Sequence, residues 1–157
     1  SPDPIAIIES KPVSRLVFGG VNQAEVVIAC GGGGIPVVKR GYRYVGVEAV
    51  VDKDLAASML ATSIKEKLFV IATDVEMVFV DFGKVTQRPL PKTTLSAVKE
   101  LYEEGQFPPG SMGPKILAAI RFLEGGGEEV VICHIERLVQ ALERGAGTHI
   151  YRDDIKA

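Results

Sequence analysis

The sequence predicts an α/β fold built around a mainly parallel sheet, and three observations carry that expectation. Apolar runs with no polar alternation, such as AEVVIAC at 24–30 and EEVVICH at 128–134, read as strands buried on both faces, as in a parallel sheet covered by helices. Between such runs lie stretches with apolar residues at helical spacing, most clearly 53–67 and 114–127. The two kinds of stretch alternate along the chain instead of falling into separate blocks.

Taken in order, 12–20 is an expected helix that stops at Gly19 and Gly20, and 24–30 a buried strand. VVKRGYRYVGV alternates aliphatic and polar residues around Gly41, which predicts a hairpin excursion that returns to the sheet. KDLAASMLATSIKEK at 53–67 carries apolar residues at 55, 56, 59, 60 and 64, the stripe of an amphipathic helix. LFVIATD at 68–74 and EMVFVDF at 76–82 read as the second and third strands. A helix at 94–105 has Thr94 as N-cap and Gly105 as its stop. FPPGSMGPK at 107–115 is a loop by its Pro and Gly content, leading into a helix at 114–127 with Pro114 in the first turn, where its missing N–H does no harm. The fourth strand at 128–134, a helix at 135–145 and a short closing strand at 147–152 complete the order. No internal repeat is visible.

Length and composition set bounds on function. A chain of 157 residues is the size of one domain and long enough for a continuous core. With 18 basic and 20 acidic residues scattered along it, no basic block favours nucleic acid or an anionic membrane. The apolar runs are too short to span a bilayer and no signal region is seen, so a cytoplasmic protein is expected. Cys30 and Cys133 show no CxxC spacing and are expected to be buried, reduced thiols. The chain opens Ser-Pro-Asp-Pro without an initiator Met, as a processed or artificial product or a piece of something longer would.

Ligands of open α/β sheets bind beyond the carboxyl ends of strands. Three unusual stretches are expected there: GGGG at 31–34, TDVE at 73–76 and VDKD at 51–54. Four consecutive glycines, Gly31, Gly32, Gly33 and Gly34, let backbone N–H groups form an anion-binding concavity, or simply allow a tight crossing from strand to hairpin. The run is neither a P-loop nor GxGxxG, because Ile35 and Pro36 follow it. Lys53 and Asp54 stand at the first turn of a helix, either as a solvated cap or as part of an anion site. Lys115 is delivered by a glycine-rich turn to another helix start, where it either faces solvent or joins Lys53 on one phosphate. His134, read at a strand end on the wrong side of the site, and His149 have no metal-ligand spacing and are expected to be structural or surface residues. No Ser-His-Asp or Cys-His grouping can be assembled.

The blocks ACGGGGIPV, GVEAVVDKDLAAS, ATDVEMVFVDFGK and GSMGPKILAAIRFLEGGG closely resemble the carbamate kinases of the amino-acid kinase family, in the family's order and spacing. The likeness covers nearly the whole chain but only the carboxyl-terminal half of a typical member. The family's amino-terminal LGGN and GNGPQ blocks, and a third family lysine, do not occur here. The resemblance implies a three-layer αβα sandwich with a mainly parallel central sheet, and makes residues 1–157 a single nucleotide-binding lobe whose amino-terminal, carbamate-binding partner lobe is absent from this sequence. It implies transfer of the γ-phosphoryl of ATP, with Mg²⁺, to carbamate, giving carbamoyl phosphate and ADP; the reaction is reversible and forms ATP in arginine catabolism. Lys53 and Lys115 would bind phosphates and Asp54 would hold the lysines. Thr73, Asp74 and Val75 would shape the nucleotide site, flanked by Met112 and Gly113, with Gly31 to Gly34 at its mouth. No protein-held metal is implied, and a homodimer is expected. A non-catalytic nucleotide-binding module, and a kinase of the same fold with another acidic substrate, are the alternatives. If the chain were whole, its sheet would be cut through and one edge left open.

Overall fold

The computed structural model describes residues 2–19 and 26–155. Its first helix, α1 (Ser10–Phe18), buries none of its residues. Beyond it the expected strand at 24–30 does not form: residues 24 and 25 lie outside the described residues, and 26–30 have no ladder, with Val26 and Ile28 fully exposed. A run that is apolar on both faces becomes a strand only when neighbours pair its backbone and helices cover it, and none of the described residues does so. Cys30 is therefore half-buried, not buried as expected, while Cys133 is buried. Burial pushes both thiols above their ordinary range, with Glu9 adding to the rise at Cys30.

The hairpin around Gly41 is present as β1 (Val37–Arg40) and β2 (Arg43–Gly46), paired antiparallel from Val37↔Gly46 to Arg40↔Arg43. It is a separate, solvent-exposed ribbon and does not return to the main sheet. Next comes α2 (Lys53–Ser63), started by Asp52, whose Oδ1 accepts from the amides of Asp54 and Leu55 at 2.8 and 3.0 Å. The helix stops short of the expected Lys67 because Lys65 takes a left-handed φ of 63°.

The sheet begins with β3 (Leu68–Thr73). Of the expected third strand at 76–82 only β4 (Phe79–Val80) remains, paired antiparallel with β5 (Arg88–Pro89) in a small hairpin of its own. The polar strand β6 (Lys92–Thr94) carries no sequence signal. Thr94 then caps α3 (Leu95–Glu103), its Oγ1 accepting from the Ala97 amide at 3.4 Å, and α4 (Met112–Glu124) follows with Pro114 in its first turn. After β7 (Glu129–His134) a 3-10 turn over Ile135–Arg137 precedes the short α5 (Leu138–Leu142), so the single helix expected at 135–145 is broken into two pieces. The chain closes the sheet with β8 (Thr148–Tyr151).

The main sheet has four strands in the order β3-β7-β8-β6. Two of its pairs, β3 with β7 and β6 with β8, are parallel, and β7 with β8 is antiparallel. Mixed pairing thus replaces the expected mainly parallel pattern at one step, and β3 stands at an edge among the described residues. Alternation along β7 divides the core. Val130 and Ile132 face α4 with Ile116, Phe122 and Leu123, whereas Val131 and Cys133 face α5 with Ala141. Helices on both faces make three layers, the αβα sandwich expected from the sequence.

Two contacts carry much of this architecture. Gly127 lies under the buried Phe122 ring, where a Cβ would stand 2.2 Å from Cε1, so the glycines after α4 let β7 start directly beneath the helix. Thr148, fully buried, accepts from the Val78 amide at 2.9 Å and donates to the Leu90 carbonyl at 2.6 Å, fastening both ends of the β4-β5 hairpin to the sheet. Thr148→Val, similar in shape, strands both groups and is expected to lower unfolding free energy by about 1–3 kcal/mol. Gly127→Ala is expected to cost about 1–3 kcal/mol through overpacking against Phe122. Urea unfolding of the two variants beside the parent checks both values.

Candidate functional site

The parallel register of β3 and β7 runs from Leu68↔Glu129 to Thr73↔His134, so Thr73 and His134 mark one common end of the sheet. Beyond that end two helix starts meet. The Asp52 cap places Lys53 and Asp54 in the first turn of α2, and Pro114 and Lys115 lie in the first turn of α4. Since α2 packs along α4, the Asp54 carboxylate reaches across, and its Oδ2 accepts from Lys115 Nζ at 2.9 Å and from Lys53 Nζ at 3.5 Å.

Exposure separates the two lysines. Asp54 is 8% exposed and the Lys115 side chain 13%, while that of Lys53 is 60% exposed. The inner pair is removed from water, where opposite charges interact more strongly than at the surface. Two ammonium groups on one carboxylate leave a surplus of one positive charge, with Lys53 as its solvent-facing part. Such a cluster suits an anion arriving from outside.

Beside it opens a pocket of about 120 Å³. Thr73, Asp74 and Val75 line it from the end of β3; Met77, Phe79 and Phe82 from β4 and its flanks; Phe107, Pro108, Ser111, Met112 and Lys115 from the entry to α4. Mostly apolar walls with a few polar groups suit a flat organic ring carrying a polar extension. Lys115 belongs to both the pocket wall and the charged cluster. Within the wall, Thr73 Oγ1 donates to Asp74 Oδ1 at 3.1 Å.

The structure thus brings Lys53, Asp54 and Lys115 into contact and sets Thr73, Asp74, Val75 and Met112 around one adjoining pocket. The glycine run stands apart from that pocket. Gly33, at φ 134°, packs on the chain leading into α2, where a Cβ would fall 2.1 Å from the Val51 carbonyl oxygen; Gly31, Gly32 and Gly34 face open space. Gly113 is buried in the first turn of α4, and its amide donates to the Pro108 carbonyl at 2.8 Å. That N–H is therefore engaged within the protein. His134 stands at the same end of the sheet as Thr73, not on the far side as expected, and its Nδ1 accepts from the Glu136 amide at 3.2 Å. His149 is buried between Glu129 Oε1 at 2.8 Å and the Ala146 carbonyl at 3.0 Å, a structural position.

Six lining residues were missed in the sequence: Met77, Phe79, Phe82, Phe107, Pro108 and Ser111. By sequence the aromatics read as parts of a strand at 76–82 and a loop at 107–115. Their one available signal was position, just after TDV and just before the lysine-bearing helix. Among the described residues no three His, Cys, Asp or Glu side chains gather to hold a metal ion.

Residues 2–134 match the model of the amino acid kinase family. Over 150 residues the chain is 47% identical to a carbamate kinase of Thermoplasma volcanium, an alignment covering 96% of this chain and 48% of that protein. It is 44% identical over 153 residues to a carbamate kinase-like protein of Escherichia coli, covering 97% and 47%. Among solved structures, the carbamate kinase from Giardia lamblia bound to AMP-PNP superposes with a TM-score of 0.92 at 37% identity, over 98% of this chain and 47% of that one. The chain therefore spans about half the length of the curated relatives it matches. With the family model aligned to most of its residues and its three layers superposing on a carbamate kinase, this chain belongs to the amino acid kinase family.

Proposed function

We propose that the chain is the nucleotide-binding, carboxyl-terminal lobe of a carbamate kinase, which transfers a phosphoryl group reversibly between ATP and carbamate. The observation that carries this reading is the Asp54 carboxylate holding Lys53 and Lys115 together beside an apolar pocket. The AMP-PNP bound to the Giardia relative supports a nucleotide as the ligand. In this reading the base and ribose occupy the pocket lined by Thr73, Asp74, Val75 and Met112, and the phosphates extend past Lys115 toward Lys53. The carbamate-binding lobe and the remaining phosphate contacts come from outside these residues, consistent with coverage of about half of each relative. With the reading go the expectations of a cytoplasmic homodimer; no helix among the described residues is long and apolar enough to cross a membrane.

Phosphoryl transfer needs positioning and positive charge more than covalent help. As a carbamate oxygen bonds to the γ-phosphorus, the bond from that phosphorus to the β–γ bridging oxygen breaks and ADP leaves. Lys115, with its ammonium fixed by Asp54, offsets charge on the transferring group, and the more exposed Lys53 captures and orients the phosphates. Mg²⁺, when bound, would enter on the nucleotide's phosphate oxygens and neutralise charge there; among the described residues no acidic cluster would hold it alone. Because carbamate is already an anion, no general base is required of His134 or His149.

A second reading is a nucleotide-binding module without catalysis. The native protein's intact mass separates the two: about twice this chain's 16.8 kDa is expected of a complete kinase, whereas a mass equal to it would leave the module reading. ATP formation from ADP and carbamoyl phosphate by the full-length native protein is the direct test of activity. Lys115→Ala is expected to lower turnover by about 10²–10³, the cost of losing one charge-stabilising donor. Near-parental turnover would overturn its role. Removing Lys115 also leaves Asp54 buried without its close partner, at a cost of about 3–5 kcal/mol. Lys53→Ala avoids that complication: turnover is expected to fall at least tenfold while the melting temperature stays unchanged, since the side chain is mostly in solvent.

A further inference from the structure

The exposed ribbon of β1 and β2 carries charge of one sign only. Val37 to Gly46 hold three of the 18 basic residues, Lys39, Arg40 and Arg43, and none of the 20 acidic ones. The register divides them between two faces. Val38 and Arg40 stand beside Val45 and Arg43 on one face, and Val37 and Lys39 beside Gly46 and Tyr44 on the other. Arg40 and Arg43 are therefore directly opposite across the strands, where like charges repel and weaken a hairpin. Among the described residues no carboxylate pairs with either guanidinium or with the Lys39 ammonium.

The ribbon is rooted at the charged cluster. Gly33, shortly before β1, packs on the chain entering α2: a Cβ there would fall 2.1 Å from the Val51 carbonyl oxygen and 3.6 Å from the Lys53 amide nitrogen. The Val47 amide donates to the Pro36 carbonyl at 3.1 Å and closes the base. Four paired positions then carry the turn roughly 13 Å out from that base. Tyr42 stands fully exposed at the turn, and Val38 and Val45 are exposed behind the arginines. A two-stranded hairpin is marginal by itself, and this one pairs with no other strand. Its own stability gives no reason for two opposed arginines, whereas carboxylates brought to them by another surface do.

The carbamate-kinase reading supplies that surface. Carbamate has to meet the transferring phosphoryl group beside Lys53, so the lobe that holds it must approach the place where the ribbon is rooted. This chain spans about half the length of its relatives, which leaves the other half for that lobe. Resting on that reading, we propose that the β1-β2 ribbon is a clasp between the lobes: it lies on the amino-terminal lobe, Arg40 and Arg43 pair with carboxylates there, and Val38 and Val45 pack against it. The nucleotide pocket is lined from this lobe alone. The clasp therefore governs closure over the carbamoyl group and leaves nucleotide affinity unchanged.

The test uses the full-length native protein carrying Arg40→Lys and Arg43→Lys, which keeps both charges and lets a carbodiimide join each ammonium to a carboxylate in contact with it. Peptide mapping by mass spectrometry is expected to find positions 40 and 43 joined to Asp or Glu of the amino-terminal half of the same polypeptide. Bonds only within residues 1–157, only between two polypeptides, or to no carboxylate would overturn the clasp. In the parallel variant Arg40→Gln/Arg43→Gln, kcat/KM for carbamoyl phosphate in ATP formation is expected to fall about tenfold, as loss of interfacial charge pairs does. Calorimetric titration of that variant with ADP is expected to match the parent within twofold. Parental kcat/KM, or ADP affinity lost in step with it, would overturn the role in closure. A native protein no longer than this chain would overturn the half-kinase reading itself, whereas a full-length protein without those cross-links sinks the clasp alone.

Discussion

One carboxylate oxygen with two ammonium groups leaning on it is the constraint around which the site is organised. Asp54 Oδ2 meets Lys115 at 2.9 Å and Lys53 at 3.5 Å. A carboxylate so nearly buried is tolerable only with a charged partner in good geometry. The partner must come from another helix, so the starts of α2 and α4 are tied together at the end of the sheet. Everything that defines where those helices begin then bears on the site: the Asp52 cap of α2, the Gly113 amide bonded to the Pro108 carbonyl before α4, and Gly33 seated against Val51.

The pocket beside this pair is assembled from elements far apart in sequence. Thr73 to Val75 continue from β3, whose position is set by its parallel ladder with β7. The aromatic wall belongs to a small hairpin outside the main sheet, held by the buried hydroxyl of Thr148 between the Val78 amide and the Leu90 carbonyl. Phe107 and Met112 close the remaining side, and α4 is seated over β7 by the absence of a side chain at Gly127. Core packing and site geometry are thus set by the same contacts. The Thr148 hydroxyl is structural in itself but determines where Phe79 stands.

Helices were legible wherever caps and periodicity agreed. Thr94 caps α3, Pro114 stands in the first turn of α4, and α2 starts at Lys53 as its stripe implies. Strands were legible only where a partner exists. LFVIAT and EVVICH pair in parallel, whereas the equally apolar VVIAC lies exposed without a ladder. A two-faced apolar run states that cover is needed, not that it is present. The stretch at 76–82 misled for a different reason: Asp81 and Gly83 turn the chain back after two paired residues, so aromatics that looked like core became a pocket wall. The polar β6, short and flanked by proline, had no pattern to read.

By itself the sequence determined the α/β class and the order of its main helices, because caps and periodicity are local properties of the chain, while the grouping of Lys53, Asp54 and Lys115 was implied by the resemblance of their motifs to the carbamate kinases. Only the tertiary structure decided that Lys115 is the inner partner of Asp54 and Lys53 the outer one, that Gly33 serves packing while Gly31, Gly32 and Gly34 stand open, and that Phe79 and Phe82 face a pocket. Those outcomes depend on burial and on which distant segments share a surface. Burial is a property of the assembled layers, and no run of neighbouring residues contains it.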